Sequence, residues 1–427
     1  MASLQQVSLA ISTLSMERIT PKRITLCSSS GLSSQSITLS SHRSGLSLCC
    51  STKLSELKTR RHRTCISASV APPPVQEGAE DEQNSEQGND GAVPLKEHNR
   101  EFSSTSSLIH KLIDFLEEDL PHLFDERGIT KDQYDPSVIF QDPITKYTSI
   151  DGYLFNIQML RYLFSPKFEL HRVYQSGPNE ITTRWTMTMQ FALLPWRPEL
   201  VFTGTSVMGI NPTTGKFISH VDYWDSIKDN NYFSVEALGD LLKQLQYFKT
   251  PDLETPKYRV LKRAKIYEVR DYEPFIVVES QGDRFTGSKG FKNVTNYIFG
   301  ENSTGEKIRM TTPVITSTVD SISSTSGVSI QIVLPLKSSL SSLPAPSPGT
   351  ATLRELPGSF VAAIKFSGEA TEELVKDKEV LLRSALVADG LCPKPGFMLA
   401  RYNDPGRTWS WIRRNEVLVM LEEFDLK

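Results

Sequence analysis

The sequence predicts an α+β protein with two ordered regions, and three observations carry that prediction. Apolar residues at helical spacing come first, between positions 107 and 163, and four strand-like segments follow them up to Trp224. After a proline-flanked break at 250–256, the order strand, strand, helix, strand occurs twice. With 427 residues, 38% hydrophobic and 23% charged, the chain is long enough for more than one core. Helices followed by strands predict helices packed on a curved antiparallel sheet. The doubled order predicts a twisted sheet carrying two helices in a pseudo-twofold repeat.

Residues 1–70 are crowded with Ser and Thr and carry scattered Arg and Lys, with Glu17 and Glu56 as the only acids. This is the composition of an organelle transit peptide, and the Met-Ala start with a long Ser-rich run points to the chloroplast. Residues 71–105 shift to Pro, Gly, Gln and acid, too little apolar surface to offset chain entropy, and read as a disordered linker. Cys27, Cys49, Cys50 and Cys65 all fall in the first segment, leaving Cys392 as the one thiol beyond it. Without that segment no intrachain disulfide can form, which fits a reducing compartment.

The first ordered region is expected over residues 106–248. Leu108, Leu112, Phe115, Leu116 and Leu120 form one helical stripe, with Ser106 or Ser107 as cap and Pro121 as terminator. Residues 134–143 read as an irregular turn or short strand, and 150–163 as a second helix ending near the Ser165-Pro166 step. Strands are expected at 168–175, 181–191, 199–210 and 216–224. In the second of these, Trp185, Met187, Met189 and Phe191 alternate with Arg184, Thr186, Thr188 and Gln190. Ser234 caps a further helix before the break. This order, closing on GKFISHVDYWD, resembles the nuclear-transport-factor-like cone fold, a helical lid over a bent sheet. Period two places Ile218, His220, Asp222 and Trp224 on one face of the closing strand, where a His or Asp could act as acid or base, or be held as a hydrogen-bonded structural pair.

The second region is expected over residues 256–427. Strands are read at 258–270, 274–279, 330–336, 360–366, 397–402 and 415–421. Residues 290–316 read as a short helix with the apolar edge Phe291, Val294, Thr295 and Ile298, then turns at Gly300 and Gly305 and a strand stopped by Pro313. Thr371 caps a second helix with Leu374, Leu381, Leu382 and Ala385 on one face and Gly390 at its end.

The pieces KYRVLKRAKIYEVRDYEP, YIFGEN, KIRMTTPV, FVAAIKFSG, RYNDPG and RRNEVLVML occur in the order found in the SOUL haem-binding family, and residues 256–427 resemble it. A transit peptide, a cone-type region and a SOUL region in one chain are similar to plastid haem-binding proteins of plants. The resemblance implies a twisted sheet or barrel with two helices and a shallow hydrophobic groove for haem or another porphyrin. It places that groove along the first helix, near the loop at 402–411, with Phe291, Val294, Thr295, Ile298, Lys289, Met310, Arg401 and Tyr402 as the ligand-binding set. Asn296 stands where a lysine is common in the family, so the propionates must be met by other cations, among them Arg401, Arg407, Lys307 and Arg309.

No histidine follows His220. An iron ligand within the second region would have to be Cys392, Met310, Met398 or a tyrosine such as Tyr297 or Tyr402, and a ring held with no protein ligand is the simpler arrangement. A net charge of −3 gives no case for nucleic acid, and no apolar run is long enough to span a membrane, although peripheral membrane contact stays open. No nucleophile with its base, metal-ligand cluster or phosphate-binding loop is legible. The expectation is a non-enzymatic, reversible tetrapyrrole carrier or buffer of the chloroplast, in the stroma or at the thylakoid or plastoglobule surface, with a plastid haem oxygenase as a fitting recipient. The alternatives are an enzyme built on His220 and Asp222, or a thylakoid- or plastoglobule-associated interaction protein.

Overall fold

A computed structural model describes residues 96–282, 289–318 and 328–426, with 96–106 described by backbone alone. The expected transit peptide, and the expected linker up to residue 95, lie outside the described residues. Those described fall in one compact unit.

Helix α1 (Lys96–Asp119) starts inside the stretch expected to be linker, so its winding runs through Ser106 and Ser107 and neither is its cap. Helix propagates at little cost once its buried turns are fixed, and here Ile109, Leu112, Leu116 and, just past its end, Leu120 fix them. Pro121 sits in the 3₁₀ turn that follows, as expected of a terminator. The segment read as an irregular turn or short strand is strand β1 (Tyr134–Gln141), followed by β2 (Lys146–Tyr147). Helix α2 (Ile150–Leu163) is capped by Ser149 and runs straight into β3 (Phe164–Gly177). Strand β3 therefore contains Pro166, which costs no ladder bond in the interior because β3 is the sheet's edge.

The remaining strands are β4 (Glu180–Phe191), β5 (Glu199–Ile210) and β6 (Phe217–Trp224), in the order β2-β1-β6-β5-β4-β3. Only the β1–β6 pair is parallel. A register shift near Gly209 breaks the expected period in β6, so Ile218 is exposed and Phe217 takes the core position. Helix α3 (Val235–Gln244) is capped by Ser234, as predicted.

The stretch 258–270, expected as one strand, is a hairpin of β7 (Tyr258–Arg263) and β8 (Glu268–Tyr272), turned where Ala264 N–H donates to Tyr267 C=O. There follow β9 (Phe275–Gly282), α4 (Lys289–Ile298), β10 (Val314–Thr318) and β11 (Val328–Val333). Pro313 precedes β10 and does not end it. The chain closes with β12 (Thr352–Leu356), β13 (Ser359–Phe366), α5 (Glu372–Ala388), β14 (Phe397–Arg401) and β15 (Asn415–Met420). Thr371 caps α5, and its buried stripe is Val375, Leu382 and Leu386, with Leu381 facing out.

These nine strands form one antiparallel sheet, β12-β9-β11-β10-β14-β15-β13-β8-β7. Outward from the central β10–β14 pair, β11 answers β15, β9 answers β13, and β12 answers β8. The repeat is therefore β8-β9-α4-β10-β11 against β12-β13-α5-β14-β15, with β8 and β12 exchanged between halves and β7 added at one edge. Each half thus ends on a second strand after its helix, β11 or β15, one more than the expected order strand, strand, helix, strand.

Candidate functional site

Helix α4 packs on β9 and β11 through Val294, Tyr297 and Ile298, against Val278, Ile330 and Ile332. Gly290 permits the approach: a Cβ there would lie 2.9 Å from the Gln281 carbonyl. The buried stripe is thus Gly290, Val294, Tyr297 and Ile298, one step round from the edge read in the sequence. Tyr297 competes successfully for the core because its hydroxyl donates to the Pro344 carbonyl at 2.9 Å, which satisfies its one polar group. Thr295 lies on the outer side and donates to the Phe291 carbonyl. Phe291 is 43% exposed and Phe299, eight residues on, is 57% exposed. Lys289 and Met310 are also exposed.

Of the eight residues proposed for the groove, Val294 and Ile298 are therefore core side chains under the helix, and Phe291, Thr295, Lys289 and Met310 are available at the surface. Arg401 lies on the same face of the sheet. It pairs across the ladder with Val314, which packs on the α4 cluster. Its guanidinium is half-buried, donates to Thr316 Oγ1 at 2.7 Å, and has no carboxylate partner among the described residues. Burial lowers its pKa from the usual arginine value. Tyr402, the next residue, points through the sheet to the opposite face, as strand alternation requires. The structure does not bring Arg401 and Tyr402 together.

On that helix-free face, Tyr402 joins a buried charged network that sequence reading missed. Glu416 accepts a forked pair from Arg270, at 2.6 and 3.0 Å, and further bonds from Arg414 at 2.8 Å and the Tyr402 hydroxyl at 2.9 Å. Arg270 also donates to Glu268 at 2.7 Å. Burial alone would raise both carboxyls. Arg270 and Arg414 hold Glu416 well below the usual carboxylate range, while Lys365 and Arg270 hold Glu268 at about 2. Arg270 and Glu416 are 146 residues apart, so nothing local in the sequence could have paired them.

The network borders a cavity of about 880 Å³ between the helix-free face and the first sheet. Its floor includes Ile315, Met398, Leu418 and Met420, and its roof includes Phe168, Thr186 and Leu253. The polar side of β4 is covered by β7: Arg184 donates to the Leu261 carbonyl and Thr186 to the Val260 carbonyl.

In the first region, His220 is buried, and both ring nitrogens are engaged. One lies 3.0 Å from the Tyr153 hydroxyl and the other 2.9 Å from Asp222 Oδ1. Asp222 also accepts from Ser206, whose oxygen accepts from Trp185 Nε1. Phe140 and Tyr153 box the imidazole edge-on, at ring separations of 5.2 and 5.3 Å. The pair forms a hydrogen-bonded core network enclosed by aromatic rings.

Among the described residues no group of three or more His, Cys, Asp or Glu could hold a metal, and no helix is long and apolar enough to cross a membrane. Of the residues considered as iron ligands, the Tyr297 and Tyr402 hydroxyls are spent on hydrogen bonds, and burial pushes the Tyr297 phenol up to about 12. Cys392 is half-buried, Met398 lies in the cavity floor and Met310 is exposed on the surface. The donor set fits a porphyrin held by its faces and its acid groups, with Arg401 available to a propionate.

Residues 253–420 match the family model described as SOUL heme-binding protein, and residues 110–220 match one described as an uncharacterized conserved protein, DUF2358. No curated protein matches the chain. Solved structures similar to it include a hydrolase from Listeria innocua, at 9% identity and TM-score 0.30, covering 37% of this chain and 92% of that one. A nuclear-transport-factor-2-like protein of unknown function from Exiguobacterium sp. 255-15 is 16% identical, with TM-score 0.21 and coverage of 29% and 99%. Another from Anabaena variabilis is 12% identical, with TM-score 0.23 and coverage of 33% and 99%. Two separate stretches of the chain are thus similar to known families, residues 253–420 to the SOUL heme-binding model and residues 110–220 to DUF2358.

Proposed function

We propose that the protein binds haem or a related tetrapyrrole reversibly on the α4 side of the nine-stranded sheet and serves as a carrier or buffer in the chloroplast. The observation that carries this reading is Arg401, a half-buried guanidinium with no carboxylate partner among the described residues, on the face where Phe291 stands exposed. A buried cation without a partner costs free energy, and an anionic ligand end offsets that cost. A ring burying a few hundred Å² gains on the order of 10 kcal/mol gross. Association costs remove several of these, which leaves affinity near the micromolar range. Such a binder releases its ring, as transfer to a plastid haem oxygenase requires.

With no histidine in the SOUL domain, recognition falls on the ring's faces and propionates, and no catalytic step is assigned to it. The test is titration of the full chain with iron, zinc and metal-free protoporphyrin, before and after Arg401→Met. Near-equal affinities that fall together in the variant are expected. A strong preference for iron, or no change on Arg401→Met, refutes the arrangement. Transit to the plastid is tested by the destination of a reporter fused to residues 1–70.

A further inference from the structure

The cavity on the helix-free face is chemically graded along one direction, and that grading specifies a ligand. At one end, on β11, Gln331 is 4% exposed and its Nε2 donates to Glu279 Oε1 at 3.0 Å. Its Oε1 is buried and has no hydrogen-bond partner. An orphaned buried acceptor is costly unless a donor reaches it, and the residue that carries this one is among those lining the cavity. The middle of the floor is apolar. Met398 lies opposite Leu418 across the β14–β15 ladder, and Ile315 and Met420 flank them. At the far end, on β13, Lys365 pairs in register with Glu416. There, within the sheet, three cations (Lys365, Arg270 and Arg414) face two carboxylates (Glu268 and Glu416), and Glu199 of the first sheet also lines the cavity.

We propose that this cavity is a second binding site, distinct from the α4 face, for an elongated apolar carboxylate with a hydrogen-bond donor at its far end, such as an ω-hydroxy long-chain fatty acid. The carboxylate meets Lys365 and Arg414, the chain lies over Met398 and Leu418, and the donor reaches Gln331 Oε1. The strand order β11-β10-β14-β15-β13 separates the two polar ends by four ladder steps, about 19 Å at roughly 4.8 Å per step. An extended chain covers about 1.2 Å per bond, so roughly sixteen carbons span the gap. The cavity volume of about 880 Å³ lies within the ~300–1,000 Å³ common for small-molecule sites. Pro251 and Leu253, in the segment joining the two regions, help close it, so occupancy bears on how both sheets are held.

Calorimetric titration of the full chain with 16-hydroxyhexadecanoate, hexadecanoate and hexadecan-1-ol tests the assignment. The hydroxy acid is expected to bind at one site, and the alcohol about tenfold or more weakly for want of the charge. Lys365→Ala should erase the advantage of acid over alcohol. Gln331→Leu should erase the advantage of hydroxy acid over hexadecanoate. Lys365 is exposed, so its variant keeps the test sound even where Gln331→Leu folds poorly. Haem titration should be unmoved by saturating hydroxy acid. Absence of saturable binding, or equal affinities in both variants, overturns the proposal. Competitive displacement by haem also overturns it, and would assign the cavity to the ring while leaving tetrapyrrole binding intact. Failure of haem to bind with fatty-acid binding retained would instead refute the reading of the α4 face alone.

Discussion

The two faces of the nine-stranded sheet handle buried charge in opposite ways. On the helix-covered face Arg401 donates to the Thr316 hydroxyl and has no carboxylate partner among the described residues. On the other face Glu416 is fully buried, yet every close neighbour that could neutralise it is in place. The first arrangement leaves a cation without a carboxylate among the described residues, whereas the second is closed by its own pairs and works as a scaffold. The difference teaches that buried charge marks a site when it lacks a partner and marks a frame when it is paired.

That contrast breaks most sharply at Glu416. Glu416→Ala strands Arg270 and Arg414 and is expected to cost about 3–5 kcal/mol in chemical denaturation. A loss under 1 kcal/mol would mean the network frames nothing. The same network gives the protein an acid limit. Glu268 is held at about 2, below its usual 4.5, so its stabilising contribution is present above pH 4.5 and is lost as pH falls towards 2. Melting temperature should decline across that window, and Glu268→Gln should flatten the decline at the expense of stability at neutral pH.

Next in size is the inner side of α4. Val294 is completely buried, and Val294→Ala should cost about 2 kcal/mol in stability. Haem affinity should move little so long as the helix stays in place, because Val294 faces the sheet. Arg401→Met should behave in the reverse sense, with about tenfold weaker haem binding and a melting temperature close to that of the parent, since no ion pair is lost. The smallest effect on stability is expected at Phe291. Phe291→Ala should leave stability within about 0.5 kcal/mol and still reduce haem affinity several-fold. Equal effects of Val294→Ala and Phe291→Ala on both measurements would erase the distinction between the helix's two sides.

Much of the architecture was legible because it is local. Ser234 and Thr371, both read as caps, each accept a bond from a backbone N–H three residues on, and such caps are written in four-residue windows. The pseudo-twofold order of the second sheet followed from strand and helix patterns alone. Reading failed where one residue shifts a phase. A register shift at Gly209 turned Ile218 outward, and Tyr297 rather than Thr295 went under α4. It failed again at 258–270, where alternation continued through a hairpin and made two strands look like one.

The sequence by itself determined most of the element types, the caps at Ser234 and Thr371 and the motifs that resemble the SOUL family, because propensity, capping and periodicity act over a few residues. Only the tertiary structure decided which side chains share a site. Arg401 and Tyr402 are adjacent in the chain but lie on opposite faces, because successive strand residues alternate. Arg270 and Glu416 are far apart in the chain but fork together, because strand order, set by the closure of the whole sheet, brings β8 to β13 and β13 to β15. Partnership of charges depends on that closure, and it is the partnership that separates Arg401, with no carboxylate partner among the described residues, from the paired Arg270.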